Sequence, residues 1–390
     1  MNHARRPTVA IGAAFAAQGF GWAVLVTNVP ALQARFGVSA EILSLGILAM
    51  TCCAAGGAAL AGPIAVRWGS GRLLCGGLVT QAAGFLIVAL AANRVLGAVA
   101  LLLVGAGFGA VDVGNNMQGV LAQRNRGTQL MGRLYAGYTS AAIAGALIAS
   151  GVVAAGVFAM AGLVAVTVVH TATATFGARN FDTTRAARDR REKTKKAAPL
   201  PYRGIWIAGW VLFAAHVGDS AVETWSTLFL KDGRHAAAAV APLGYAAYQA
   251  AVLISRLAAD ALVVAKGLIV TALTGIVIGV AGSVTVAVTP GVFGALCGFA
   301  ALGVATGVLV PVAFTSAGDL SPGRSDEVIA RVNLFNYPGA LVGGVTPGLL
   351  ASGAALGPVY LIPAALLAAS VPAVRGLGAR RQPETTMEMV

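Results

Sequence analysis

Between Ile205 and Leu230 the chain reads IWIAGWVLFAAHVGDSAVETWSTLFL, an apolar run that carries His216, Asp219 and Glu223 near its middle. Spacings of three and four residues put the three side chains on one stripe of a helix. Two carboxylates a turn apart repel when both are ionised, which suits sharing a proton, and a histidine beside them extends the set for proton transfer. The bland alternative is a satisfied polar cluster around His216. As metal ligands the residue types qualify, but no second histidine or cysteine lies near, so no metal is assigned. The run exceeds the roughly 20 residues that cross a bilayer as a helix. Ionisable groups at that depth are costly and by default serve function.

A second polar group stands in GFGAVDVGNNMQGV, where Asp112, Asn115 and Asn116 fall at i, i+3 and i+4 on one helical face. Asp112 reads either as a proton carrier or as a fixed partner for Arg133. The asparagines read as substrate hydrogen-bonders or as interhelical contacts.

The elements that must hold these groups are membrane helices. Of the 390 residues, 57% are hydrophobic and 11% charged, with mean hydropathy +0.80, against about 25% charged in a soluble domain. The net charge of +13 sits in short loops and not on a basic face, so nucleic acid is not an expected partner. Cys52, Cys53, Cys75 and Cys297 lie in apolar segments without a CxxC spacing, which supports neither a zinc site nor a disulfide framework. No nucleotide-binding loop occurs, and no cofactor is expected.

Windows of apolar residues predict twelve crossings, at about 8–32, 42–66, 73–92, 95–121, 131–153, 156–176, 204–230, 242–264, 268–288, 291–317, 329–352 and 358–377. The first begins after a basic start and reads as an uncleaved membrane helix, not a signal peptide. Of 27 lysines and arginines, only Arg35, Arg94, Lys231 and Arg234 fall in the odd-numbered loops. The positive-inside rule then puts both termini on the cytoplasmic side of the membrane. Residues 179–203 hold RAARDRREKTKKAAP and read as a basic cytoplasmic linker between six-helix bundles at 1–178 and 204–390.

The halves repeat at a constant offset of 198 residues. Val66-Arg67-Trp68-Gly69 falls on Val264-Ala265-Lys266-Gly267, Gly105 and Gly109 on Gly303 and Gly307, and Arg126, Arg133 and Gly145 on Arg324, Arg331 and Gly343. Such a same-topology duplication places a substrate near the midplane, between halves that rock. With this helix count, charge pattern and repeat, the chain resembles the major facilitator superfamily over its whole length. GPIAVRWGSGR, from Gly62 to Arg72, is similar to that family's glycine–acid–arginine–glycine signature, with Val66 where the acid is expected. The motifs GFGAVDVGNNMQGV, SAVETWSTLFL and PVAFTSAG are similar to those of an uncharacterised bacterial subgroup distantly related to sugar–proton symporters.

The resemblance implies an all-α fold of twelve helices in two parallel six-helix repeats, with crossings 1, 4, 7 and 10 lining a central cavity. Polar groups present in one half only are the site candidates: Asp112, Asn115 and Asn116 correspond to Val310, Ala313 and Phe314, and His216, Asp219 and Glu223 to Gln18, Gly21 and Leu25. Asp219, Glu223, Asp112 and His216 are the proton-coupling candidates, with Asp219 the expected carrier and Glu223 its tuner. Asn115, Asn116, Gln18, Trp225, Tyr135 and Tyr138 are candidates for substrate contact. Tyr248, Gln249, Asn333 and Asn336 extend that set. Arg67, Arg133, Arg331, Arg256 and Asp260 are the expected gate, replacing the charge lock that Val66 lacks. The expectation is a monomeric, non-enzymatic secondary transporter of a small molecule, driven by protons and leaning to export of a polar or cationic metabolite or drug. Uptake of a sugar-like metabolite by symport is the alternative, and a channel the distant one.

Overall fold

The computed structural model describes residues 5–38, 40–154, 160–182, 199–237, 240–241, 243–350 and 356–375. Most of the basic linker and the C-terminal tail lie outside the described residues. Among those described the chain is helical, in twelve rods. The first half comprises α1 (Arg5–Thr27), α2 (Ala40–Trp68), α3 (Ser70–Leu90), α4 (Arg94–Arg126), α5 (Met131–Ala154) and α6 (Ala161–Asn180), with a short helix Val29–Phe36 after α1. The second comprises α7 (Tyr202–Leu228), α8 (Leu243–Lys266), α9 (Leu268–Val288), α10 (Val292–Asp319), α11 and α12. A π-helical turn, Phe229–Gly233, extends α7. The α11 rod is broken into Ser325–Asn333 and Asn336–Leu350, and α12 into Leu356–Val359, Leu361–Ala369 and Val371–Val374. Ten of these rods are long and apolar enough to cross a membrane; α5 and the broken α11 supply the other two of the twelve expected.

The repeat is visible in the backbone. Gly69 joins α2 to α3 at φ 92°, and its equivalent Gly267 joins α8 to α9 at φ 79°, a left-handed conformation that side chains disfavour. Packing repeats as well. A Cβ on Gly109 of α4 would stand 1.8 Å from the Ala54 carbonyl oxygen of α2, and one on Gly307 of α10 2.0 Å from Ser255 Oγ of α8. Neither pair of helices could approach so closely with a larger residue, which is the packing that small residues permit in lipid. The outer face is apolar and exposed, with Leu147, Val264, Val288 and Phe293 among its residues, as lipid contact demands.

Within the first half α4 packs on α2 and α3, and α1 on α5; within the second α10 packs on α8 and α9, and α11 on α7. The halves meet where α5 crosses α8 and α2 crosses α11, with α10 also touching α4 and α5. These meetings gather at the end that carries Arg67, Arg126, Lys266 and Arg324, called the basic end below.

Candidate functional site

The α7 stripe divides into three different environments. His216 is half-buried, and its Nδ1 donates to the Leu212 carbonyl at 2.9 Å on its own helix. Asp219 accepts from the hydroxyl of Tyr248, a fully buried residue of α8 that also meets Thr306 of α10. Glu223 is exposed and makes no hydrogen bond or ion pair among the described residues. Around it stand Asp219, the guanidinium of Arg256, Tyr138 from α5 of the other half and Tyr245 from α8. The two acids are thus unequal: Asp219 is anchored, while Glu223 faces the cleft between the halves. Trp225 is turned toward α11, where its Nε1 donates to the Gly344 carbonyl at 2.8 Å. Gln249 donates from Nε2 to the Tyr245 hydroxyl at 2.8 Å.

Below the cleft, the α4 face joins α11 of the opposite half. Asn333 Nδ2 donates to Asp112 Oδ2 at 2.8 Å, Asn336 Nδ2 to the same oxygen at 3.4 Å, and Gln18 Nε2 to Oδ1 at 3.5 Å. Asn116 Nδ2 donates to Asn333 Oδ1 at 3.3 Å, and Asn116 Oδ1 accepts from the Tyr135 hydroxyl at 2.7 Å. Asn115 Nδ2 donates to Gln18 Oε1 at 2.8 Å. Asn115, Asn116 and Asn333 are buried. The amides expected to contact substrate hold each other and Asp112, and the break in α11 at Leu334 and Phe335 falls between the two asparagines that reach across. Asp112 has amide partners, and Arg133 is committed elsewhere.

Arg133 and Asp260 meet across the halves. The Asp260 carboxylate accepts from the backbone N–H of Gly132 at 2.9 Å and of Arg133 at 3.1 Å, and lies 3.6 Å from Arg133 Nε. It therefore caps the first turn of α5 from a helix of the other half, where the exposed N–H groups and the helix dipole favour an anion. One turn up α8, the buried Arg256 donates to the Thr139 hydroxyl and, at 3.5 Å, to the Tyr135 carbonyl, with its guanidinium 5.1 Å from the Tyr135 ring. Gln123, which the sequence reading passed over, donates to Thr315 Oγ1 of the other half at 3.4 Å and accepts from Leu130 N at 3.0 Å.

The repeat-matched arginines do not act alike. Arg331 bonds and pairs with Glu327 on its own helix, 3.9 Å away, and Arg67 lies over Trp68 with its guanidinium carbon 5.5 Å from the ring centre. Of the five expected gate residues, Arg133, Arg256 and Asp260 come together at the seam; Arg67 and Arg331 stay on their own halves. The floor of the cleft is closed by polar contacts, and above it the Glu223 carboxylate has no hydrogen bond or ion pair among the described residues. No group of three or more metal-binding side chains occurs among the described residues.

The comparisons with known proteins fit this architecture. A sequence profile of the Major Facilitator Superfamily matches residues 11–344. An uncharacterized MFS-type transporter of Yersinia pestis is 25% identical over 340 residues, 87% of this chain and 87% of that one. Among solved structures, the E. coli fucose:proton symporter FucP in its outward conformation superposes with TM-score 0.80 at 15% identity, over 97% of this chain and all of that one. The proton:xylose symporter XylE gives TM-score 0.73 at 15% identity, over 95% and 94%.

Proposed function

The chain belongs to the Major Facilitator Superfamily, and from that premise we propose that it is a proton-coupled secondary transporter of a small polar organic molecule, with Glu223 as the proton carrier. The observation that carries this reading is the exposed carboxylate of Glu223, which has no hydrogen-bond or ion-pair partner among the described residues, in a cleft where Asp112 and Asp219 are both held. A group that must take up and release a proton needs access and freedom to change partners, and Glu223 has both. Asp219, bound to Tyr248, positions the site.

Two directions follow from what competes for Glu223. If a cationic or polar substrate sits on the carboxylate between Tyr138 and Tyr245, proton and substrate displace each other and the transporter exports. We adopt this reading, because an acid flanked by aromatic rings is a receptor for cations. The second reading is uptake, in which both travel together; the likeness to FucP and XylE, described as proton symporters, favours it. A thermal-shift screen of the purified protein against sugars, amines and antibiotics across pH is the first test, since a bound ligand stabilises the fold. A hit that moves with the proton gradient in liposomes supports the proposal. A ligand whose flux ignores the gradient and does not saturate would favour the channel.

The basic end is taken as cytoplasmic, on the distribution of lysine and arginine. The closed seam then leaves the cleft open to the outside. A cysteine at the exposed Thr128 should react with an impermeant maleimide only from the cytoplasmic side, and one at the exposed Ala92 only from outside. Reversed labelling would invert the orientation and both transport directions.

A further inference from the structure

The seam holds a second carboxylate that no sequence signature marks. Asp326 stands in the first turn of α11 and is buried, although it directly follows a charged turn at the basic end. Its side chain bonds to Ser70, the first residue of α3 in the other half, and faces Arg124 at the end of α4. Ser70 is oriented for this. Gln118 Nε2 donates to Ser70 Oγ at 2.9 Å, so the single hydroxyl proton of Ser70 is left for the carboxylate. Gln118 is fixed in turn by Asp182, accepting from its N–H at 3.0 Å and donating to its carbonyl at 2.9 Å.

The placement bears on Val66, the position where the family signature would put an acid. Here α2 meets α11 through apolar contact, a Cβ on Gly62 lying 3.1 Å from Ala330 Cβ. The acid comes instead from the other side of the same seam, four residues before Ala330. We propose that Asp326 is the gate carboxylate of this chain, and that its proton sets how tightly the basic end closes.

The charged groups around Asp326 decide the sign. Arg124 faces it from α4, with Asp319 3.9 Å from that guanidinium. Asp182 faces it from the end of α6, and Glu327, paired with Arg324 at 2.7 Å, stands beside it. Burial pushes Asp326 up to about 6 from its ordinary 3.8; Arg124 and Ser70 oppose the rise, while Asp182 and Glu327 add to it. Once the halves part and the carboxylate meets water, it returns toward the ordinary value. The closed seam therefore holds the proton more tightly than the open one. Closure gains as pH falls from about 6 toward 4 and loses that gain as pH rises through 6. The difference in affinity caps the change in the open-to-closed ratio at about 100-fold. Acidification on the basic side would hold the transporter shut there.

The test uses the full chain in lipid nanodiscs, with its four cysteines replaced and spin labels at Thr128 and Gly323, exposed positions on opposite halves of the basic end. Distances are recorded between pH 4.5 and 8 in the parent and in Asp260→Asn, whose weakened seam populates both arrangements. The short-distance fraction should rise in Asp260→Asn as pH falls through about 6. Adding Asp326→Asn, which resembles the protonated form, should remove that response and leave the short distance favoured throughout. A response that survives Asp326→Asn, or none in the Asp260→Asn background, overturns the proposal. The inference rests on the halves alternating and not on what is carried; no substrate is needed, so its failure would leave the liposome test of Glu223 untouched.

Discussion

Reconstituted Glu223→Gln is expected to lose all movement of substrate that is driven by a proton gradient. The substitution keeps the size and most of the hydrogen-bonding capacity of the side chain but cannot titrate. For one proton per cycle, a gradient of about one pH unit supports roughly a tenfold substrate ratio, and in the variant that ratio should fall to one. Counterflow, measured in the same liposomes at equal concentrations, then separates the directions. If substrate and proton compete for Glu223, as in the export reading, counterflow is lost with the gradient response because the substrate has lost its counter-charge. If they travel together, counterflow survives. Asp219→Asn should weaken both through its contact with Tyr248, without changing the proton stoichiometry. Gradient-driven transport equal to the parent in Glu223→Gln would dismiss it as the carrier and move attention to Asp112.

A larger conformational effect is expected from Asp260→Ala. Its carboxylate accepts two backbone N–H bonds from α5 across the seam, and hydrogen bonds to a charged group contribute about 1.5–3 kcal/mol each. With part of that recovered by water in the open form, closure should weaken by about 2–4 kcal/mol, or roughly 30- to 1,000-fold. A cysteine at Ala330, buried in the other crossing of the seam, reports the change as faster alkylation from the basic side. Arg133→Ala should matter far less, because its side chain is 65% exposed and an exposed ion pair contributes about 0–1 kcal/mol. Equal effects of the two variants would mean that the ion pair, and not the capped helix, holds the seam.

Much of this was legible in the sequence, for reasons that differ by residue. The twelve rods follow from hydropathy, and the paired glycines at 69 and 267 and at 109 and 307 from a repeat whose shape demands them. Asp260 and Arg256 stand one turn apart on one face of α8, so their joint arrival at the seam could be anticipated. The unequal fate of Arg133 and Arg331 was also written there: Glu327 gives Arg331 an acid on its own helix, whereas the matching residue before Arg133 is Gln129. What could not be read is which helices touch across the seam. The asparagines at 333 and 336 have the chemistry of substrate ligands, and only the crossing of α4 with α11 turns them toward Asp112. Position on the helix favours Asp219 as the carrier with Glu223 as its tuner, and only the fold shows that Tyr248 holds Asp219 while Glu223 is left exposed. Asp326, in SPGRSDEV, has the appearance of a solvated loop acid, and its burial is a property of the assembled seam. Its repeat partner is Thr128, so comparing the loops of the two halves, and not only their membrane segments, would have marked it.

The closest backbone approaches fall inside each half: α2 against α4, α8 against α10, and likewise Gly19 against Tyr138 and Gly343 against Val217. The halves themselves are joined at one end, by side-chain hydrogen bonds, a helix cap and apolar contacts such as Tyr135 on Phe314. Such a molecule is built like a pair of finished parts held by a removable fastener. Severed between Asp182 and Leu200 and co-expressed as two fragments, it should yield two separately folded pieces that recombine in the membrane. Their affinity would then read out, as an association constant, the strength of the same contacts that an intact chain makes and breaks in every cycle.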